Sequence, residues 1–101
     1  ACMDEFEPSI VIHLAAVTGV SNYTAMPIRT IKTNMEGTAR TLECAARHTL
    51  KKFVNFSTSE VYGPNALNAR EDDVTSQGPP GALRWTYATS KITAEHLCMA
   101  F

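Results

Sequence analysis

One run of eight residues, SIVIHLAA (9–16), constrains this chain more than any other. Apolar side chains occupy nearly every position of it, and Val and Ile dominate. That is the pattern of a strand buried on both faces of a parallel sheet. The run ends in small residues, which lets something approach its backbone. A turn-like TGVSNYTAMP follows, and then segment 28–48 reads as a helix, with Ile28, Ile31, Met35, Ala39, Leu42, Ala45 and Ala46 recurring at helical spacing. Gly37 interrupts that helix. A Gly there disfavours it by about 1 kcal/mol against Ala and implies close packing or ligand approach. A second strand is predicted from Phe53 to Ser57, within KKFVNFSTSEVYG (51–63), running out into a polar tip and a Gly-Pro turn.

From Pro64 to Leu83 the chain has Pro, Gly, Asn and Ser punctuation without a period, the mark of a long loop. Loops of this length inside compact domains tend to be functional. Segment 85–101 is predicted to be helical again, with Tyr87, Ile92, Leu97 and Cys98 among its less polar positions. Strand, helix, strand, loop and helix in that order predict an α/β fold with a parallel sheet. Two strands do not complete a doubly wound sheet. No GxGxxG supplies a phosphate-binding first turn, so that part is not encoded here.

The 101 residues allow one domain with a small core. Nine basic against ten acidic residues leave no basic excess of the kind that nucleic acid or an anionic membrane calls for. The short cluster REDD (70–73) reads as a solvated loop. No apolar stretch approaches the ~18 residues of a membrane span. The acidic beginning ACMDEFEP is not a signal peptide, and its lack of an initiator Met suggests an excerpt. Cys2, Cys44 and Cys98 form no CxxC pair and have no His at metal-ligand spacing. Neither a disulfide framework nor a metal site is expected, and a reduced, cytoplasmic setting is.

The chemistry concentrates in TYATSK (86–91), where Tyr87 precedes Lys91 by one helical turn. Positions four apart share a helix face, so phenol and ammonium aim into one volume. Two unit charges about 6 Å apart at an effective dielectric of 20 attract by roughly 2.8 kcal/mol, so the ammonium would favour a phenol giving up its proton. Such a pair suits acid–base work. Tyr and Lys also meet at this spacing by chance, and companions decide the matter. His13 reads as a packing histidine, since it lies within an apolar strand. Arg84 and Trp85 serve packing and solubility, or Arg84 meets a phosphate or carboxylate. Glu60 leaves the second strand beside Thr58, which favours a role in the site over a solvated one.

Four stretches in order, HLAA (13–16), TNMEGT (33–38), FSTSEVYG (56–63) and RWTYATSK (84–91), resemble the extended short-chain dehydrogenase/reductase family, within it the NAD-dependent epimerases, dehydratases and decarboxylases of nucleotide sugars. The resemblance covers the chain from about residue 8 to its end. It implies that the chain is a fragment of a Rossmann-type doubly wound parallel sheet. The 1–101 region would be a partial NAD(P)-binding domain, lacking the glycine-rich turn before it and the sugar-binding region after it.

Carried over by position, Tyr87 would be the acid/base and Lys91 would also hold the nicotinamide ribose. Thr58 would hydrogen-bond the sugar hydroxyl being oxidised. Leu14, Ala15, Ala16 and Thr18 match the strand end lying against the cofactor. Ser57 matches a backbone position lining the nicotinamide pocket. Asn34 matches the Asn that supports the site from the neighbouring helix. The implied cofactor is NAD, with NADP not excluded, since the acidic ribose reader is absent. The implied partner is a nucleotide sugar, and the whole protein would be a homodimer.

The stretch TSE (58–60) bears on the reaction. A 4,6-dehydratase needs a base and an acid close together. Glu60 suits the base, but Ser59 stands where the related dTDP-sugar dehydratases carry an Asp acid. Decarboxylation of a 4-keto uronic acid needs only enolate stabilisation and later protonation. TSE followed by RW also resembles the branch acting on UDP-glucuronate. The expectation is therefore a UDP-glucuronate decarboxylase type. A 4,6-dehydratase of a nucleotide hexose and a non-catalytic dinucleotide-binding relative are the alternatives.

Overall fold

The two apolar runs become neighbouring parallel strands, β1 (Ile10–His13) and β2 (Lys52–Asn55), with Ile10 opposite Lys52 and His13 opposite Asn55. Beyond the strands, the Phe56 amide still donates to the His13 carbonyl at 3.1 Å. In the computed structural model, which describes residues 2–101, the remaining elements are α1 (Cys2–Phe6), α2 (Val20–Ala25), α3 (Pro27–Ala45) and α4 (Thr86–Ala100). Single 3-10 turns occupy Ser59–Tyr62 and Leu83–Trp85. The strand–helix–strand crossover and the parallel pairing are those expected of an α/β fold of the Rossmann type.

Three details differ from the sequence expectations. The turn-like segment holds α2, which ends before Pro27, and Pro27 starts α3 at the first helical position that tolerates it. Strand β1 is buried on one face only. His13 is buried and Val11 half-buried, whereas Ile10 and Ile12 are 52% and 58% exposed. No described layer covers that second face. Finally, Gly37 makes no close approach, since a Cβ built there meets nothing within 4 Å.

Helix α3 buries Leu42 and Ala45 as its periodicity suggested, but its N-terminal half turns a different face inward. Thr30, Asn34, Thr38, Leu42 and Ala45 are its buried residues, while Ile28 is 75% exposed. The reason is local satisfaction of polar groups. Thr30 Oγ1 donates to the Met26 carbonyl at 3.0 Å and Thr38 Oγ1 to the Asn34 carbonyl at 2.8 Å, so neither hydroxyl is stranded by burial. Helix α4 meets α3 with small side chains, among them Ala88, Ser90 and Ala94, each at most 1% exposed. Small residues at a crossing let two helix axes approach closely.

The loop from Gly63 to Ala82 carries no helix or strand, and it is tied down at both ends. Gly63, at φ 86, lies so close to the Ser76 backbone that any side chain there would collide with it. A Cβ at Gly78 would overlap the buried Trp85 indole. Gln77 bridges to the Val61 carbonyl at 3.3 Å and accepts from Thr89 Oγ1 on α4 at 3.2 Å. The loop is thereby fastened against the start of α4, which carries Tyr87.

Candidate active site

Both strands deliver their C-terminal ends to the same side, where α4 begins. In open α/β sheets that is where ligands bind. At the β2 exit the Lys91 ammonium donates to the Phe56 carbonyl at 2.6 Å, two residues ahead of Thr58. Lys91 is buried, and burial pushes its amine below the ordinary value. Its Nζ lies 5.9 Å from the Tyr87 ring centroid. The helical spacing thus places phenol and ammonium in one volume, and the hydrogen bond to Phe56 anchors that volume to the strand end.

Tyr87 is half-buried and its ring stacks on that of Tyr23, centroids 5.6 Å apart and planes 9° from parallel. Tyr23, from α2, is buried. Its phenol is pushed up by burial first and by the Glu60 carboxylate next, with Arg84 acting in the opposite direction. Sequence reasoning missed Tyr23 because it lay in a stretch read as a turn. The available signal was a lone large aromatic among small and polar residues.

Thr58 caps the 3-10 turn at Ser59–Tyr62 and accepts from the Glu60 amide at 3.4 Å, a long bond that leaves its hydroxyl free to turn. Ser59 is exposed. One oxygen of Glu60 sits 3.6 Å from Arg84, whose guanidinium lies 4.5 Å over the Trp85 ring. The other oxygen, Oε2, is buried and accepts no hydrogen bond among the described residues. Ser57 Oγ donates to Glu95 of α4 in a short contact. Ser57, Thr58, Ser59 and Glu95 face a cleft of about 570 Å³ that Tyr87 and Lys91 do not line.

At the β1 exit, Leu14, Ala15 and Thr18 are exposed and Ala16 is half-buried. Ala16 and Thr18 border a hollow of about 330 Å³ with Val17, Asn22, Met26 and Arg29. Arg29 supplies a positive charge at the rim of this hollow. Asn34 is enclosed rather than facing this space. It is 2% exposed, its Oδ1 accepts from the Val17 amide at 2.7 Å, and its Nδ2 donates to the Val17 carbonyl at 3.1 Å and to Ser90 Oγ at 2.9 Å. Asn34 acts on the site by fixing the loop backbone.

His13 is buried, with Nε2 3.2 Å from Thr38 Oγ1. The Thr38 hydroxyl proton already goes to the Asn34 carbonyl, so Nε2 must carry the imidazole proton and donate. Burial, and then the Lys91 charge, hold the imidazole below its ordinary value. His13 is a packing residue beneath the site.

The chain is 39% identical over 92 residues to the UDP-N-acetyl-alpha-D-glucosaminuronate decarboxylase of Bacillus cytotoxicus, covering 91% of this chain and 28% of that protein. It is 38% identical over 98 residues to the dTDP-D-glucose 4,6-dehydratase of Dictyostelium discoideum, covering 91% of this chain and 23% of that protein. The chain therefore spans roughly a quarter of the length of these relatives. Among solved structures, the UDP-glucuronic acid 4-epimerase of Bacillus cereus in complex with UDP-glucuronic acid and NAD superimposes with a TM-score of 0.79 at 30% identity. That match covers 98% of this chain and 29% of the other. RMD from Pseudomonas aeruginosa complexed with NADPH gives 0.77 at 32% identity, over 92% of this chain and 31% of the other. The model of the NAD dependent epimerase/dehydratase family matches residues 1–101, and with these relatives and this α/β fold the chain belongs to that family.

Proposed function

We propose that the whole protein oxidises C4 of a nucleotide-linked hexuronate and decarboxylates the resulting 4-keto sugar, with this chain supplying the acid/base side of the site. The observation that carries the reading is Lys91, whose ammonium bonds the Phe56 carbonyl at 2.6 Å and lies 5.9 Å from the Tyr87 ring. It thereby holds the Tyr87–Lys91 pair at the strand end that continues into Thr58. The chemistry that NAD or NADP would supply there is reversible acceptance of the C4 hydride. Leu14, Ala15, Ala16 and Thr18 at the β1 exit, with Ser57 and Lys91 from the β2 and α4 side, are the residues that would hold such a cofactor.

Each protein group then has a task. Thr58 orients the C4 hydroxyl, and Tyr87 takes the hydroxyl proton as the C4–H bond breaks. The Lys91 ammonium offsets the negative charge that develops on the phenol oxygen. Once C4 is a ketone, the C5–C6 bond breaks, CO2 departs, and the electron pair passes into the C4 enolate. A proton must then return to C5. Ser59 and Glu60 lie next in the chain after Thr58, and Glu60, held by Arg84, is the group suited to manage that proton. Support for decarboxylation over dehydration comes from Ser59, which cannot serve as the acid that elimination of the C6 hydroxyl requires. The named relatives include a decarboxylase of a uronic acid nucleotide alongside a dehydratase. The reading also assigns a homodimer in a reducing cytoplasm, and the three free cysteines fit that setting.

The test supplies the whole protein with UDP-glucuronate and NAD and follows CO2. Release of CO2 with a UDP-pentose product is expected. Absence of CO2, together with a 4-keto-6-deoxy sugar formed from a neutral nucleotide hexose, would assign Glu60 to elimination instead.

A further inference from the structure

Ser90 lies between Tyr87 and Lys91 in the direction of the helix axis, yet it faces away from solvent entirely, at 0% exposure. Its hydroxyl donates to the Tyr87 carbonyl at 2.7 Å and accepts from Asn34 Nδ2 at 2.9 Å. The same Asn34 amide grips both backbone groups of Val17, at 2.7 Å and 3.1 Å. The directions of these bonds are mutually fixed. Val17 N–H needs an acceptor, so Oδ1 must face it. Nδ2 then has two protons, one for the Val17 carbonyl and one for Ser90. A flipped amide would set Nδ2 against the Val17 N–H and Oδ1 against a carbonyl, losing two of the three bonds. Three segments far apart in sequence, the β1 exit, the middle of α3 and the second turn of α4, thus share one buried amide with no spare donor.

We infer that Ser90 is a positioning residue, joining the helix that bears Tyr87 and Lys91 to the backbone of the β1 exit through the Asn34 amide. On the proposed function, that exit is the cofactor side of the site, so the link sets the distance between acid/base pair and cofactor. The Tyr87 carbonyl is held at the base of the very residue that moves the proton. Small displacements there matter, because a reacting group misplaced by about 1 Å loses on the order of 10²-fold in rate. Ser90 needs no contact with any ligand to have this effect.

Amide hydrogen exchange of the chain, followed by NMR, tests the link without reference to any reaction. Ser90→Ala should speed exchange of the Val17 amide roughly tenfold, the loss of about one net hydrogen bond transmitted through Asn34. The Phe56 and Lys51 amides, bonded to the His13 and Ser9 carbonyls, should stay within about twofold and serve as references for global opening. An unchanged Val17, or equal acceleration at Val17, Phe56 and Lys51, would overturn the inference. A second measurement needs no variant. In the unaltered chain under mild denaturant, Val17 and Lys91 amides should open as one cooperative unit with the same free energy and slope, and separate openings would refute the link. These outcomes stand whatever the CO2 assay returns, so a failure of the proposed reaction and a failure of the Ser90 link are read separately.

Discussion

Replacing Asn34 by Leu removes three hydrogen bonds, one across the α3–α4 interface to Ser90 and two to the Val17 backbone at the β1 exit, while adding little or no cavity, since the two side chains are similar in size. Each bond contributes about 1 kcal/mol net. The Val17 groups are only partly buried, so solvent recovers a fraction of what they lose. The Ser90 hydroxyl, fully enclosed, recovers nothing. A loss of about 2–4 kcal/mol follows. For a domain of this size 1 kcal/mol moves the midpoint by roughly 4–8 °C, so Tm should fall by about 10–25 °C. Thermal unfolding of the chain by far-UV circular dichroism reads this directly. Asn22→Ala provides the control, because the exposed bond from Asn22 to the Thr18 carbonyl should be worth less than about 0.5 kcal/mol. A midpoint for Asn34→Leu within about 3 °C of the unaltered chain would refute the claim that this amide organises the interface. Asn34→Asp adds a pH signature. Its second oxygen would face the Val17 carbonyl and Ser90 as an acceptor, so the destabilisation should be larger at neutral pH than in mild acid, where a protonated carboxyl donates.

Three further outcomes are expected. Gly37→Ala should stabilise the chain by about 0.5–1 kcal/mol, raising Tm by a few degrees, because α3 gains helix propensity and a Cβ there meets nothing within 4 Å. In the whole protein, Tyr87→Phe should leave NAD binding nearly intact while turnover of the nucleotide sugar drops at least ~10²-fold, as measured by absorbance of the reduced cofactor and by product formation. Equal turnover would remove Tyr87 from the mechanism. Lastly, folding holds the His13 imidazole below its unfolded value of 6.5, so the unfolded chain takes up the proton first as the pH drops. Stability should therefore be level above pH 6.5 and decline below it. Urea midpoints on either side of that value should separate, and His13→Gln should shrink the separation.

The order of β1, α3, β2 and α4, the parallel pairing and the volume shared by Tyr87 and Lys91 were legible in the sequence, because each depends on local periodicity, whereas the short helices α1 and α2 were not. A run of Val and Ile commits a segment to a strand, and a spacing of four commits two side chains to one helix face, whatever surrounds them. The family resemblance in HLAA, TNMEGT, FSTSEVYG and RWTYATSK was legible for the same reason: it consists of residues at set spacings. What periodicity cannot rank is which face of an element ends up inside. Helix α3 shows Ile28 to solvent and buries Thr30, Asn34 and Thr38, because their polar atoms bond to the helix itself, to Val17 and to Ser90. Those partners lie as many as 56 residues away in sequence. The stacking of Tyr23 on Tyr87, the Phe56 carbonyl under Lys91, and the pairing of Glu60 with Arg84 have the same origin. Each joins groups whose separation along the chain is unrelated to their separation in space. Only the packing of α2, α3 and α4 about the strand ends decided them, since burial and hydrogen-bond satisfaction are properties of the assembled surface rather than of any one segment.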